Sequence, residues 1–147
     1  MYAHPIYHPD GNFPQVMIDR IADRSEKEGF PTSRLPELST EEIEYIRGTF
    51  DFLCLNSYTT NMVKWTNDYE IGAPGYYSDL SVSTYQDPSW NNSASGWLKV
   101  VPWGMRKILN WIDQTYNHPE IIITENGVSD DGRLDDPTRI NYYAVSD

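Results

Sequence analysis

A single carboxylate, Glu125, follows a run of three isoleucines at residues 121–123. Three consecutive β-branched apolar residues predict a strand that is buried on both faces, as in a parallel sheet. The dipeptide Asn126-Gly127 then predicts a turn. Because the carboxyl ends of parallel strands are where α/β folds bind ligands, a carboxylate there could take part in catalysis. On the pattern alone, a strand-end glutamate in a salt bridge is the simpler interpretation.

A second strand is predicted to end in polar groups. Residues 50–56 are predicted to form a second buried strand, which ends at Asn56-Ser57-Tyr58. Between the two strands, Pro102 begins the clearest helix of the chain, with apolar residues at helical spacing on one face: Met105, Ile108, Leu109, Ile112 and Tyr116. Strand, helix and strand make a right-handed βαβ unit. We therefore expect both polar strand ends at the same edge of a parallel sheet.

Further helices are predicted before and after this unit. Pro14 suits the first position of a helix that Gly29 ends. Ser39 and Glu42 form a capping box at the start of a shorter helix, which ends near Gly48. Residues 139–143 predict the start of one more helix.

Two segments lack helical or strand periodicity. Residues 1–12 are predicted to be irregular, and prolines directly after His4 and His8 argue against the helix that would give these histidines metal-ligand spacing. We therefore expect no metal site. Residues 59–101 predict a long loop on the same side as Tyr58 and Glu125, and a structureless loop of that length is usually functional.

Composition excludes some classes of protein. The chain has 147 residues, a formal net charge of -11 and a sequence pI of about 4.5. This balance argues against binding nucleic acid or an anionic membrane. There is one cysteine, Cys54, so no internal disulfide is possible. The first residues carry neither the basic start nor the apolar stretch of a signal peptide.

The sequence predicts only two confident parallel strands. A two-stranded parallel sheet is not a stable fold by itself, because each strand needs neighbours and helical cover. We therefore expect the chain to be part of a larger structure.

The motif Ile123-Thr124-Glu125-Asn126-Gly127 resembles the nucleophile motif of family 1 glycoside hydrolases, the β-glucosidase and myrosinase group. Other segments resemble that family in the same order along the chain. They are Ala3-His4-Pro5-Ile6-Tyr7, Phe13-Pro14-Gln15-Val16-Met17, Ser33-Arg34-Leu35-Pro36, Gly48-Thr49-Phe50-Asp51-Phe52-Leu53, Asn56-Ser57-Tyr58-Thr59-Thr60, Pro102-Trp103-Gly104 and Arg139-Ile140-Asn141-Tyr142-Tyr143.

The resemblance implies an α/β fold, a partial (β/α)₈ TIM barrel that covers about strands six and seven with their helices and upper-face loops. Residues 1–147 are then a single fragment of a catalytic barrel with no complete domain boundary inside it. The implied function is retaining hydrolysis of a β-linked glucoside or related glycoside, without a cofactor or a metal. For the full-length protein the resemblance suggests secretion.

By the same resemblance, Glu125 is the nucleophile and Tyr58 orients it by a hydrogen bond. Asn56, Asn126 and Trp97 are implied substrate-binding residues. For three of these residues a structural role stays open: Tyr58 as a buried tyrosine, Asn56 as a turn cap and Trp97 as a packing residue.

The sequence also departs from the family. Cys54 stands where the family usually has a glycine, and Ser57 where an aromatic residue or histidine is more usual. The Asn-Glu-Pro motif that carries the family's acid/base carboxyl occurs nowhere in the chain. Two hypotheses follow: a retaining β-glycosidase of which this chain supplies the nucleophile half, or a truncated, inactive paralogue that acts as a binding or interaction protein. The sugar, the aglycone, the choice between O- and S-glycosides and the oligomeric state stay open.

Overall fold

The computed structural model describes residues 3–66 and 71–144 and contains six helices and four strands within those ranges. In chain order they are α1 (Ala3–Tyr7), α2 (Gln15–Lys27), α3 (Thr40–Ile46), β1 (Leu53–Asn56), β2 (Met62–Trp65), α4 (Tyr76–Leu80), β3 (Val82–Tyr85), α5 (Pro102–Thr115), β4 (Ile121–Glu125) and α6 (Pro137–Ala144). They fall into two compact units. The first unit comprises Met1–Phe50 and Val63–Ser83, and the second comprises Asp51–Met62 and Thr84–Asp147.

The second unit contains the predicted parallel pair. Strands β1 and β4 run parallel, with Leu53 opposite Ile121 and Leu55 opposite Ile123. Helix α5 lies between them in the chain, so the predicted strand, helix and strand order is confirmed. Parallel pairing brings the carboxyl ends of β1 and β4 to the same edge.

The prediction that these strands are buried on both faces is wrong for this chain. Leu53 is buried, but the side chains of Ile122 and Ile123 are 40% and 45% exposed. Within the described residues, β1 and β4 form a sheet of only two strands, and no third strand covers either outer edge. The isoleucine run therefore has the composition of a buried barrel strand, but in the described residues it lacks the neighbouring strands that would bury it.

Helix α5 packs closely behind the end of β1. Pro102 occupies the start of the helix, as predicted, and both Ile112 within the helix and Tyr116 at its C-cap are buried. A Cβ atom at Gly104 would overlap the side chain of Thr60, so only glycine permits this close approach. The segment that follows Tyr58 is therefore held tightly against α5.

The first unit is built mainly from helices α1 to α4. Helix α2 follows Pro14, and Gly29 lies after its C-cap with a φ of 81°, as the sequence predicts. The capping box of Ser39 and Glu42 is formed at the start of α3.

Residues 3–7 form a short helix, so the prediction of an irregular start is wrong. Pro5 lies in the first turn of α1, where its missing N–H is not needed for helix hydrogen bonds. The rings of His4 and His8 stack with their centroids 4.0 Å apart. Within residues 3–66 and 71–144, no group of three or more His, Cys, Asp or Glu side chains could hold a metal ion.

The predicted long loop of residues 59–101 contains β2, α4 and β3, so the prediction of a structureless segment is wrong. Each element has only four or five residues, too few to show a period in the sequence. In the first unit, Asp79 of α4 anchors this segment. Its carboxylate binds the guanidinium groups of Arg24 and Arg34.

No helix in the described part of the chain is both long and apolar enough to span a membrane.

Candidate active site

A β-bulge at Thr124 sets the position of Glu125. Leu55 pairs with Ile123, but the next residue, Asn56, pairs with Glu125, so Thr124 is the extra residue in β4. The hydroxyl of Thr124 donates to Oδ1 of Asn56 at 2.6 Å. Bulges of this kind turn a side chain out of the regular alternation and are frequent beside active sites. Glu125 is thereby placed beside the residues that follow β1.

Tyr58 and Glu125 are joined by a hydrogen bond. The Tyr58 hydroxyl donates to Oε2 of Glu125. This bond, with smaller contributions from burial and from the negative charge of Glu125, raises the pKa of Tyr58 above its ordinary value of 10.0. The phenol therefore keeps its proton at neutral pH and offers a fixed, uncharged donor to the carboxylate.

The backbone beyond the strands is cross-linked as well. The Ser57 N–H donates to the Glu125 carbonyl at 3.0 Å. The amide nitrogen of Asn126 donates to the Ser57 carbonyl at 2.7 Å and to the Tyr142 hydroxyl at 2.9 Å. Because both amide protons of Asn126 are directed at protein acceptors, a substrate contact from this residue would use its carbonyl oxygen.

Trp97 lies beside the Tyr58 ring. The two ring centroids are 6.5 Å apart with the planes at 77°. The Trp97 backbone carbonyl accepts a hydrogen bond from the Gln86 side chain at 2.9 Å, while the indole is 62% exposed. A held backbone with an exposed ring is an arrangement that can present an aromatic face to a sugar.

The layer behind these side chains is closely packed. Between Tyr58, Asn126, Tyr142 and the start of α5 lies a cavity of only about 10 Å³. This volume is at the lower limit for one water molecule. A sugar would therefore have to approach Glu125 from its exposed side.

All five predicted site residues belong to the second unit. The structure brings Glu125, Tyr58, Asn56, Asn126 and Trp97 together at the carboxyl ends of β1 and β4. Sequence reasoning missed Thr124 and Tyr142. The bulge that uses Thr124 has no local signature, and nothing in the sequence separates Tyr142 from the adjacent Tyr143.

This geometry is that of a segment of a parallel α/β barrel with polar groups at the carboxyl ends of its strands, the usual position of a barrel active site. The sequence model described as glycosyl hydrolase family 1 matches residues 1–145. The chain belongs to this family.

Among curated relatives, the human cytosolic beta-glucosidase is 43% identical over 145 residues, which are 97% of this chain and 30% of that protein. Among solved structures, the aphid myrosinase superposes with a TM-score of 0.79 at 35% identity over 99% of this chain and 30% of that chain. A rice beta-glucosidase mutant in a covalent complex with Glc gives a TM-score of 0.76 at 28% identity, over 99% of this chain and 31% of that chain.

The predicted fold class is confirmed: the chain is part of a TIM barrel. It spans about 30% of the length of the β-glucosidase and myrosinase relatives that it matches. The described residues contain two separate two-stranded sheets and no closed barrel.

Proposed function

We propose that this chain supplies the nucleophile half of a retaining β-glycosidase that hydrolyses β-linked glucosides. The observation that carries the proposal is the hydrogen-bonded pair of Tyr58 and Glu125 at the ends of two parallel strands. The covalent complex of the rice relative with Glc supports it further, because a retaining mechanism passes through a covalent glycosyl-enzyme.

Glu125 would attack the anomeric carbon with a carboxylate oxygen. The bond from that carbon to the aglycone oxygen breaks as the new bond forms, and the aglycone leaves with a proton from a general acid. Water then attacks the same carbon, gives a proton to the same group and releases the sugar and the Glu125 carboxylate. In both steps Tyr58 would keep the carboxylate turned toward the sugar through its hydroxyl.

The other predicted residues would surround this chemistry. Trp97 would stack on an apolar face of the glycoside, and Asn56 and Asn126 would contact its hydroxyl groups. These contacts fit the positions of the three side chains around Tyr58 and Glu125. Whether the preferred bond is an O- or an S-glycoside is decided by the aglycone side and by the acid/base position.

The general acid would come from outside these 147 residues. Retaining enzymes place the second carboxyl about 5 to 5.5 Å from the nucleophile. The Asn-Glu-Pro motif of the family is absent from the sequence. We therefore regard residues 1–147 as one fragment of a catalytic barrel, with activity only in the presence of the remaining strands.

A hybrid enzyme tests the proposal. In it, residues 1–145 of this chain replace the matching segment of human cytosolic beta-glucosidase, and hydrolysis of an aryl β-glucoside is measured. We expect Glu125→Gln to lower kcat by roughly 10⁴-fold or more, as removal of a nucleophile does. Tyr58→Phe should lower kcat by about 10²-fold, because one donor to the reacting carboxylate is lost.

The matched control is Glu120→Gln. Glu120 precedes the same strand at its other end and is exposed, so its loss should leave kcat unchanged. Azide added to the Glu125→Ala hybrid should restore turnover and give a glycosyl azide, because the anion takes the place of the missing carboxylate. An active hybrid whose kcat is unaffected by Glu125→Gln would refute the assignment.

The second candidate is an inactive paralogue that acts as a binding or interaction protein. The observation that favours it is the lack of a second catalytic carboxyl motif in the sequence. Both candidates predict that the isolated 147-residue chain releases no aryl alcohol from aryl β-glucosides. The hybrid separates them: an inactive paralogue would give no turnover even when the remaining strands are supplied.

A further inference from the structure

Tyr142 of α6 reaches both segments that form the candidate site. Its hydroxyl accepts a hydrogen bond from Nδ2 of Asn126 at 2.9 Å and donates one to the carbonyl of Tyr58 at 3.1 Å. Tyr142 is one of the most buried hydrophobic side chains, with 3% of its surface exposed. One hydroxyl group therefore links the residue after Glu125 to the residue that binds Glu125.

These contacts close a ring. Glu125 is followed by Asn126, Asn126 binds Tyr142, Tyr142 binds the backbone of Tyr58, and the Tyr58 side chain returns to Glu125. The direction of the Glu125 carboxylate then depends on a closed set of hydrogen bonds. A closed set restricts motion more than the same bonds made separately.

The site needs such a link because the sheet stops there. The bulge at Thr124 breaks the regular register of β1 and β4. In the described residues, the last backbone hydrogen bond between the two strands runs from the Ser57 N–H to the Glu125 carbonyl. Beyond it, the two chain segments leave in different loops. Side chains, and not the strand ladder, must then hold Tyr58 and Asn126 together.

We infer that Tyr142 is a positioning residue for the pair of Tyr58 and Glu125. This inference rests on the proposed function of Glu125. Tyr142 is buried and acts on Glu125 through its hydrogen bonds to Asn126 and to the Tyr58 carbonyl.

Burial also favours the protonated form of the Tyr142 hydroxyl, which is the form that can donate a hydrogen bond. Removal from water raises the pKa of Tyr142, while hydrogen bonds from Asn126 and the Gly127 backbone lower it to a smaller extent. The group therefore remains protonated at neutral pH and can donate to the Tyr58 carbonyl while it accepts from Asn126.

Tyr143 offers a matched control. It is the next residue of the same helix and is 46% exposed, and its hydroxyl lies 3.4 Å from the Asn126 carbonyl, a long contact. Tyr142→Phe and Tyr143→Phe remove the same oxygen atom from adjacent positions. If Tyr142 served only to fill the core, phenylalanine would replace it without affecting Tyr58.

The first test is an NMR titration of the hybrid enzyme labelled with ¹³Cζ-tyrosine, in which Tyr58→Phe assigns the Tyr58 signal. We expect the pKa of Tyr58 to lie above that of free tyrosine in the wild type and to fall in Glu125→Gln. Tyr142→Phe should lower the pKa of Tyr58 in the same direction as Glu125→Gln does, and Tyr143→Phe should leave it unchanged. An unchanged Tyr58 pKa in Tyr142→Phe would overturn the inference.

The second test uses the hybrid enzyme. Tyr142→Phe should lower kcat by about 10-fold to 100-fold with KM changed by less than about twofold, because a misplaced nucleophile slows the reaction more than it weakens binding. Tyr143→Phe should leave both constants unchanged. Equal kcat in the two variants would overturn the inference.

The experiments distinguish failure of the Glu125 nucleophile assignment from failure of the Tyr142 positioning role. If Glu125→Gln left the hybrid active, the nucleophile assignment would fall, yet a shifted Tyr58 pKa in Tyr142→Phe would still support the positioning contact. If Glu125→Gln abolished activity and Tyr142→Phe had no effect in either test, only the positioning role would fall.

Discussion

The two compact units each hold one important carboxylate, and they hold it in opposite ways. In the first unit, Asp79 binds the guanidinium groups of Arg24 and Arg34, and its side chain is 19% exposed. In the second unit, Glu125 is exposed at a strand end and binds the uncharged phenol of Tyr58. A carboxylate paired with arginines is suited to stabilising a fold. A carboxylate that is only oriented by a neutral hydrogen-bond donor is not paired with a cation and can react with a substrate.

The charged group in the first unit is a connected cluster. Arg24 and Arg34 bind Glu28 as well as Asp79, with nitrogen to oxygen distances of 2.5 and 2.9 Å for the Glu28 contacts. Hydrogen bonds from Arg34 hold the pKa of Asp79 below its ordinary value, and the reciprocal bond raises the pKa of Arg34. Asp79 lies 55 residues from Arg24 and 45 residues from Arg34 in the chain, so the cluster ties α4 to α2 and to the loop after α2.

The largest expected effect on stability is from breaking this cluster. Asp79→Asn leaves Arg24 and Arg34 with excess buried positive charge, which should cost about 3 kcal/mol of the free energy of unfolding of the first unit. Urea titration of the hybrid enzyme labelled with 5-fluorotryptophan measures it by ¹⁹F NMR, with each tryptophan of this chain assigned by its Trp→Phe variant. Trp65 reports on the first unit, and the other four tryptophans report on the second.

Asp23→Asn is the control for this variant. Asp23 forms an exposed pair with Lys27 on the same helix, four residues away. Such a pair contributes about 0.3 to 0.5 kcal/mol. Equal losses from Asp79→Asn and Asp23→Asn would mean that the cluster is no more important than a surface ion pair.

Acid should weaken the first unit through the same carboxylate. Because the folded-state pKa of Asp79 lies below its unfolded value of about 3.9, the stabilisation is complete above that value. It is lost as pH falls below about 4, through the folded-state pKa.

His4 also has a lowered pKa, mainly through burial, so protonation of His4 destabilises the folded state from about pH 6.5 downward. Comparing wild type with Asp79→Asn at each pH isolates the Asp79 part.

The Trp65 signal gives the free energy of unfolding of the first unit in wild type and in Asp79→Asn. We expect the difference between these two free energies to shrink below about pH 4, because both proteins then carry an uncharged group at position 79. A difference that stayed constant down to pH 2 would contradict the assigned pKa shift of Asp79.

The sequence predicted those features that have local signals. The isoleucine run predicted a strand and Ser39 with Glu42 predicted a capping box, each from neighbouring residues, and both formed. The predicted turn at Asn126-Gly127 is wrong: the chain after β4 makes no turn there, and the Asn126 amide is instead bonded to the Ser57 carbonyl and the Tyr142 hydroxyl. The bulge at Thr124, the arginine contacts of Asp79 and the Tyr142 hydroxyl bonds join residues that are distant in the chain or have no local pattern. The isoleucines are not buried, because no further strand flanks β1 or β4 in the described residues.

The capping box gives a smaller effect in the first unit. Ser39→Ala removes the side-chain acceptor for the Glu42 N–H and should cost about 1 kcal/mol of the free energy of unfolding. The Trp65 signal in urea measures it. Ser33→Ala is the control, since Ser33 lies in a loop and accepts a local hydrogen bond from the Leu35 N–H. We expect the urea midpoint of the Trp65 signal to be lower in Ser39→Ala than in Ser33→Ala.

The smallest expected effect on stability is from Glu125→Gln, the same variant that should have the largest effect on catalysis. Glu125 is exposed and accepts a hydrogen bond from the neutral phenol of Tyr58, and glutamine keeps an oxygen that can accept the same bond. The tryptophans of the second unit should therefore show a urea midpoint no lower than that of wild type. The contrary result would be a fall in the second-unit midpoint equal to the fall that Asp79→Asn causes in the first unit. Glu125 would then stabilise its unit as much as Asp79 stabilises the first. An unchanged or higher midpoint, together with loss of turnover in the hybrid, is the behaviour of a residue kept for chemistry at no benefit to stability.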